Sequence, residues 1–213
     1  MRRLFFAILC VMGLGVTTEA SAQVDLSKAL DSFINSVSTS AAQLVPTVTD
    51  HYAVLRENAP TKSKVVGSWQ YLSSRVEYLG SNYLASVAIP QLESIVSTEL
   101  RSNGIVEGCC SLTLNRRGSA VVATRTEKFE GDYTYDVSKA KFQATYVYDN
   151  HTYKVSGYLK MVKSRLCVLV NMRDILRELM VYYPSLANDE NYILIKSIVD
   201  SFGDLYLSIL LKM

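Results

Sequence analysis

The sequence is poor in histidine, and it lacks the short motifs that organise common active sites. Neither His51 nor His151 belongs to an H-x-x-H or H-E-x-x-H pair, and no G-x-S-x-G, phosphate-binding loop or G-x-G-x-x-G occurs. These absences argue against zinc hydrolases, serine hydrolases and nucleotide-binding enzymes. Glu127, Glu130 and Asp132 lie close in sequence, but a solvated acidic face explains them. We therefore predict no catalytic residues, although spacing alone leaves open a pair of carboxylates that meets across two strands.

Cysteine is also scarce, with four residues and no C-x-x-C spacing. The sequence therefore predicts no metal site and no cofactor. Cys10 lies in a segment expected to be removed, which leaves Cys109, Cys110 and Cys167. Adjacent strand residues point to opposite faces, so Cys109 and Cys110 are not expected to bond each other. We expect these thiols to act as small, buried apolar groups.

The chain has no excess of one charge sign, with 22 basic and 20 acidic residues. Removal of residues 1–22 would leave 20 basic and 19 acidic residues. This balance lacks the basic footprint of proteins that bind nucleic acid or anionic membranes. We predict no nucleic-acid partner.

Long apolar runs are absent too, because the N-terminal run at residues 4–16 is too short to span a bilayer. It follows Arg2 and Arg3 and precedes Ala20-Ser21-Ala22, an order typical of a cleaved secretory signal peptide. We expect residues 1–22 to be that peptide and no transmembrane segment to remain in the mature chain. The alternative is a membrane-anchored N-terminus.

Residues 23–63 are predicted to form one helix and a linker. Apolar residues at steps of three and four over 26–44 predict an amphipathic helix. Pro46 and Pro60 lie in the polar stretch that follows it. We expect this helix to dock on the main domain or on a protein partner.

From residue 64 to residue 213 the pattern predicts a single β domain. Alternating apolar residues begin at Val65, and tight polar turns then recur every eight to twelve residues, which is typical of an antiparallel sheet or barrel. A helical pattern over 81–102 follows the first strand, and a helical insert precedes a last strand that starts near Leu205. The prediction is a mainly β, antiparallel, up-and-down barrel of about eight strands with an N-terminal helix. Eight strands enclose an interior that side chains or one small ligand can fill.

Gly67 and Trp69 stand at the start of the first strand. A glycine lets a barrel strand bend sharply, and a tryptophan behind it can close one end of the barrel. We therefore assign both residues to the base of the barrel.

These pieces, in this order, resemble a family of secreted lipocalin-like domains of unknown function from Bacteroidetes. The matching stretches lie within 64–213, at 67–71, 76–78, 81–102 and 131–136. The resemblance implies a lipocalin-like barrel and a location in the periplasm or at the cell envelope of a Gram-negative bacterium, and it carries no known catalytic site.

The chain departs from that family at Asn115-Arg116-Arg117-Gly118, where such proteins often have an acidic turn.

Aromatic residues recur on one face of three consecutive predicted strands. Pleat parity places them together with an aliphatic neighbour, and we predict that these residues line a ligand site: Tyr133, Tyr135, Phe142, Tyr146, Tyr153 and Leu159. The plain alternative is that they fill the barrel core. Fourteen tyrosines against six phenylalanines favour a wall with some polar surface.

Two functions follow from these alternatives. A binding protein for a small, mostly apolar, lipid-like ligand should enclose an apolar cavity of a few hundred Å³ or more. A protein-interaction or structural module of the envelope should instead have a filled barrel and reach its partner through residues 26–44.

Overall fold

The computed structural model describes residues 50–82, 85–102, 104–126, 128–148 and 151–213. Eight antiparallel strands within these ranges form a closed barrel in which each strand pairs with the next and the last pairs with the first. The predicted fold class is therefore confirmed. The predicted signal peptide and the predicted helix at 26–44 lie outside the described residues.

The eight barrel strands begin near Val65 and end with a strand that starts at Leu205, as predicted. They are β1 (Gly67–Tyr78), β2 (Cys110–Leu114), β3 (Ser119–Thr124), β4 (Lys128–Asp136), β5 (Lys141–Tyr148), β6 (His151–Val162), β7 (Arg165–Asn171) and β8 (Leu205–Lys212).

Five α-helices accompany these strands in the described ranges. They are α1 (His51–Glu57), α2 (Lys62–Val65), α3 (Ala85–Ser102), α4 (Met172–Tyr182) and α5 (Glu190–Phe202). Helix α3 follows β1, and α4 and α5 form the predicted insert before β8. Pro90 lies inside helix α3.

The stretch at 46–63, predicted as linker, contains helix α1 and the start of α2. Asp50 caps α1 by accepting a hydrogen bond from the Ala53 amide at 3.0 Å. Helix α1 packs on the outside of the barrel, where the Tyr52 ring meets the ring of Tyr158 edge-on at 5.7 Å. The Tyr52 hydroxyl donates to Asp204 at 3.0 Å. These tertiary contacts, which the sequence pattern does not show, hold the helix in place.

The strand registers set which side chains face inward. Tyr135 lies opposite Phe142, Tyr146 lies opposite Tyr153, and these side chains join or pack on the core inside the barrel. Since every strand alternates between the two faces, the predicted inward aromatic stripe is confirmed.

The two ends of the barrel differ. At one end, the helical end, α3, α4 and α5 connect the strands and contribute Leu92, Leu179 and Val199 to the same core as the barrel interior. Their packing is most extensive against β1, β7 and β8. The other end, the base, carries the β2–β3, β4–β5 and β6–β7 turns. None of the described helices is long and apolar enough to cross a membrane.

Trp69, which was assigned to the base of the barrel, belongs to the buried core. Its side chain is 2% exposed, and its indole N–H donates to the Val65 carbonyl at 2.9 Å. Gly67 has φ +153°, which other residues rarely adopt, and a side chain there would meet Met213. The start of β1 therefore requires glycine beside the tryptophan.

A polar cluster lies on the outer face of the barrel where β6, β7, β8 and β1 meet. Lys160 donates to Glu77 at 2.5 Å, and both side chains are mostly buried. Burial alone would raise the pKa of Glu77, but hydrogen bonds from Lys160 and Ser208 and the charges of Lys160 and Arg75 together lower it. Glu77 is thus held in its ionised form.

Replacing Trp69 with alanine should reduce the free energy of unfolding by about 3–5 kcal/mol, because the change leaves a cavity beneath the core. Trp69→Phe should cost less, about 1–2 kcal/mol, since it mainly removes the donor to a buried carbonyl. Urea denaturation measures both. Gln70→Ala, at the exposed neighbouring position, should change stability by less than about 0.5 kcal/mol. Equal effects of Trp69→Ala and Gln70→Ala would contradict the role of Trp69.

Replacing Glu77 with glutamine should reduce the free energy of unfolding at pH 7 by about 3 kcal/mol, because it leaves the Lys160 ammonium without its carboxylate. The folded-state pKa of Glu77 is lowered, so its stabilisation is complete above the ordinary carboxyl pKa and disappears as pH falls through the lowered value. Unfolding curves of the two proteins should therefore converge in acid. Glu130→Gln, which affects an exposed ion pair with Lys128, is the control and should have little effect. A difference between wild type and Glu77→Gln that persists unchanged to pH 2 would count against this account.

Candidate functional site

An apolar cavity of about 40 Å³ lies inside the barrel, against the wall formed by β3, β4 and β5. Its lining comes from six strands: Leu112, Ala120, Val122, Phe129, Gly131, Phe142, Ala144, Thr145, Tyr146, Val155 and Val168. A second void of about 10 Å³ adjoins it and shares Leu112, Val122 and Val168. The two spaces together run from the β3–β5 wall towards β8.

The cavity lies where two inward positions of this wall carry alanine. Ala120 lies on β3 opposite Gly131 of β4, and Ala144 lies on the neighbouring strand β5. A methyl group cannot fill the space that larger side chains fill elsewhere in the barrel. At Gly131 there is no such space, since an added Cβ would clash with a backbone carbonyl oxygen of β5. Val155 is the cross-strand partner of Ala144, and Val168 on β7 completes the lining.

Aromatic side chains border this space. Phe142 is almost fully buried, and Phe129 is 9% exposed. The ring of Tyr146 stacks on that of Tyr153 with centroids 4.9 Å apart and an interplanar angle of 6°, and the Tyr146 hydroxyl oxygen is shielded from solvent. Rotation of Tyr146 would enlarge the cavity, since its ring forms part of the lining.

The cavity is smaller than the few hundred Å³ expected of a lipid-binding barrel. About 40 Å³ holds only a few water-sized groups, whereas pockets for drug-sized ligands span several hundred. A slender group fits this geometry better than a broad one.

The structure divides the six predicted site residues into three groups. Phe142 and Tyr146 line the cavity. Tyr153 lies behind Tyr146 as its stacking partner. Leu159 is fully buried opposite Val168, and its amide donates to the Ala140 carbonyl near the base, so it belongs to the filled part of the core.

Tyr133 and Tyr135 line a different space, a groove at the base of the barrel. The Tyr133 hydroxyl donates to the Asn115 carbonyl at 2.8 Å, and the Tyr135 hydroxyl donates to the Pro60 carbonyl at 2.9 Å. Burial raises the pKa of Tyr133, and burial with the negative charge of Asp136 raises the pKa of Tyr135 to about 12. Both tyrosines are thus neutral hydrogen-bond donors at neutral pH.

Most of the cavity lining was missed by sequence reasoning. The predicted stripe selected large aromatic residues, but large residues fill space, and Ala120 and Ala144 leave it open. The available signal was the presence of alanine at inward positions of β3 and β5.

The cavity has little chemical reactivity of its own. Among the lining residues that the structure describes, Tyr146 is the sole titratable side chain. No group of three metal-ligating side chains comes together in the described ranges, and the thiols of Cys109 and Cys110 lie within 3.5 Å of each other without a disulfide. This arrangement can enclose an apolar group, but it presents no acid–base pair to one.

Comparison with known proteins agrees with this architecture. No curated protein and no solved structure matches the chain. A family model described as a lipocalin-like domain (DUF4923) matches residues 35–213, which include every strand and helix described above. The chain therefore belongs to the lipocalin-like domain family DUF4923.

Proposed function

We propose that the protein is a non-enzymatic binding protein that holds a slender, apolar, lipid-like group, such as a single alkyl chain, inside its barrel. One observation carries this proposal: the barrel interior is hollow where Ala120, Gly131 and Ala144 meet, and the hollow is apolar. A barrel that served only as a scaffold would gain stability from larger side chains at Ala120 and Ala144.

The size of the cavity sets the expected affinity. Each buried methylene contributes about 0.8 kcal/mol, and association itself costs several kcal/mol. A chain that buries three methylenes, as many as the cavity has room for, would gain about 2.4 kcal/mol before that cost. The cavity alone therefore supports only weak binding of a simple alkyl probe, at millimolar concentrations or above, with tighter binding for a ligand that also contacts the mouth.

We further propose that the protein acts outside the cytoplasm, in the periplasm or at the cell envelope of a Gram-negative bacterium of the Bacteroidetes type. The support is the signal-like order of charged, apolar and small residues in 1–22.

A second function, a structural or protein-interaction module, is favoured by the small volume of the cavity. Under this alternative, most inward side chains simply fill the barrel, as Leu159 does, and partner contacts lie on the outer surface. The two functions differ in their response to an alkyl probe.

If the barrel binds an alkyl chain as proposed, 1-octanol should raise the melting temperature of the protein. At ten times its Kd, a ligand that binds only the folded state adds about 1.4 kcal/mol to the free energy of unfolding, which corresponds to roughly 3–6 °C for a chain of this size. Octanol is uncharged, so its binding reports on the cavity alone. Ala144→Leu should require at least tenfold more octanol to give the same shift in melting temperature, because the added side chain occupies the cavity.

The matched control is Gln143→Leu, which places the same side chain on the exposed face of the same strand. It should leave the octanol response unchanged. Ala144→Val adds a smaller side chain and should give an octanol response between those of the wild type and Ala144→Leu. It keeps the test informative if Ala144→Leu does not fold. Failure of octanol to stabilise the wild-type protein, or equal responses of Ala144→Leu and Gln143→Leu, would favour the structural module instead.

A further inference from the structure

We propose that the groove at the base of the barrel is a second binding site, which takes a small organic anion: a phosphate or carboxylate attached to a flat, apolar body. The groove has a volume of about 450 Å³ and lies among α2, the β2–β3 turn and β4. It shares no lining residue with the interior cavity. This site does not depend on the proposed alkyl-binding function.

The groove concentrates positive charge in a chain that is otherwise nearly balanced. Its lining contains Lys62, Arg116 and Arg117 and no carboxylate. Among the described residues, no acidic side chain forms an ion pair with any of these three cations. An anion that enters the groove would therefore meet uncompensated positive charge on more than one side.

The two arginines stand on a turn that local hydrogen bonds hold in one shape. The side-chain oxygen of Asn115 accepts from the amides of Arg117 and Ser119, both at 2.9 Å. Gly118 has φ +89°, so the turn closes there without strain. The Gly118 carbonyl accepts from the Tyr133 amide at 2.6 Å, which ties the turn to β4. The backbone that carries the guanidinium groups is therefore fixed before any ligand arrives.

Tyrosine rings and valine side chains supply the apolar part of the groove. The hydroxyls of Tyr133 and Tyr135 already donate to backbone carbonyls, so these residues offer ring surface more than hydrogen bonds. Val66, which is half-buried, extends this surface on the α2 side, while Val65 is fully buried. A ligand with a flat apolar body beside its charge would satisfy both parts of the lining.

The chemistry of the cations defines the anionic group. A guanidinium presents paired N–H donors that match the oxygens of phosphate or carboxylate, and two arginines side by side can share one such group. Because the site is open to solvent, the attraction should weaken as salt is added.

The test uses benzyl phosphate as the probe, with benzoate, benzyl alcohol and inorganic phosphate as comparisons. Titration of the ¹⁵N-labelled full chain should shift the amides of 115–119 and 133–135, with benzyl phosphate bound at least tenfold more tightly than benzyl alcohol or inorganic phosphate. The double variant Arg116→Gln/Arg117→Gln should weaken binding of benzyl phosphate at least tenfold. The control is Arg125→Gln, which makes the same charge change at one exposed position near the opposite end of β3. It should change the affinity for benzyl phosphate less than twofold.

The comparison of benzyl phosphate with benzoate assigns the anionic group, since the tighter of the two identifies phosphate or carboxylate as the preferred ligand chemistry. Absence of binding at 10 mM, equal binding of benzyl alcohol, or equal loss in Arg125→Gln and the double variant would overturn the proposal. The double variant should keep the octanol response of the wild type, which would show that the loss of anion binding does not come from a change in the interior cavity.

Discussion

The pairing of β8 with β1 is the contact on which the rest of the structure depends. Eight residue pairs join these strands, with a bulge between Tyr71 and Ser73. Without this ladder the sheet would have two exposed edges and no enclosed interior. With it, every strand acquires an inner and an outer face, and both proposed sites follow from which residues occupy those faces. On the outer face of the barrel, the mostly buried ion pair between Glu77 of β1 and Lys160 of β6 bridges the strands on either side of this ladder.

The inside of the barrel is filled unevenly, and the helices account for part of this. Helix α3 packs mainly over β1 and helix α4 over β7 and β8, while α5 packs mainly on the other helices, so that side of the interior is dense with aliphatic residues from both layers. The β3–β5 wall faces the least helical packing and carries the smallest inward residues. The base is closed differently, by Trp69 and by the chain between α1 and β1. The result is one apolar cavity inside the barrel and one charged groove at its base.

The fold was predictable because the strands of such a barrel alternate inward and outward side chains, which gives the sequence an apolar period of two residues. Strand positions, the helix after β1 and the insert before β8 all follow from local patterns and turn residues. Helix α1 was missed because Pro46 and Pro60 suggested a linker, while its stability comes from contacts of Tyr52 with residues about 150 positions away.

The candidate sites were predictable only in part. Alternation identifies the face on which a side chain lies but not the volume left between side chains, so the aromatic stripe pointed to the wall that lines the cavity but not to the alanines that leave space in it. Tyr133 and Tyr135 share that face, yet they lie far enough along β4 to reach the base groove. The arginines of that groove belong to a turn, where no periodic pattern marks a function.

The thiol of Cys167 has a practical consequence for following the motions of this barrel. Its side chain is fully buried between β6 and β8, 3.0 Å from the Ser208 hydroxyl, and burial raises its pKa. Such a thiol is rarely ionised and is out of reach of alkylating reagents while the side chains around it stay packed. Its rate of modification therefore reports how often this outer face of the barrel opens, beside the strands that close it.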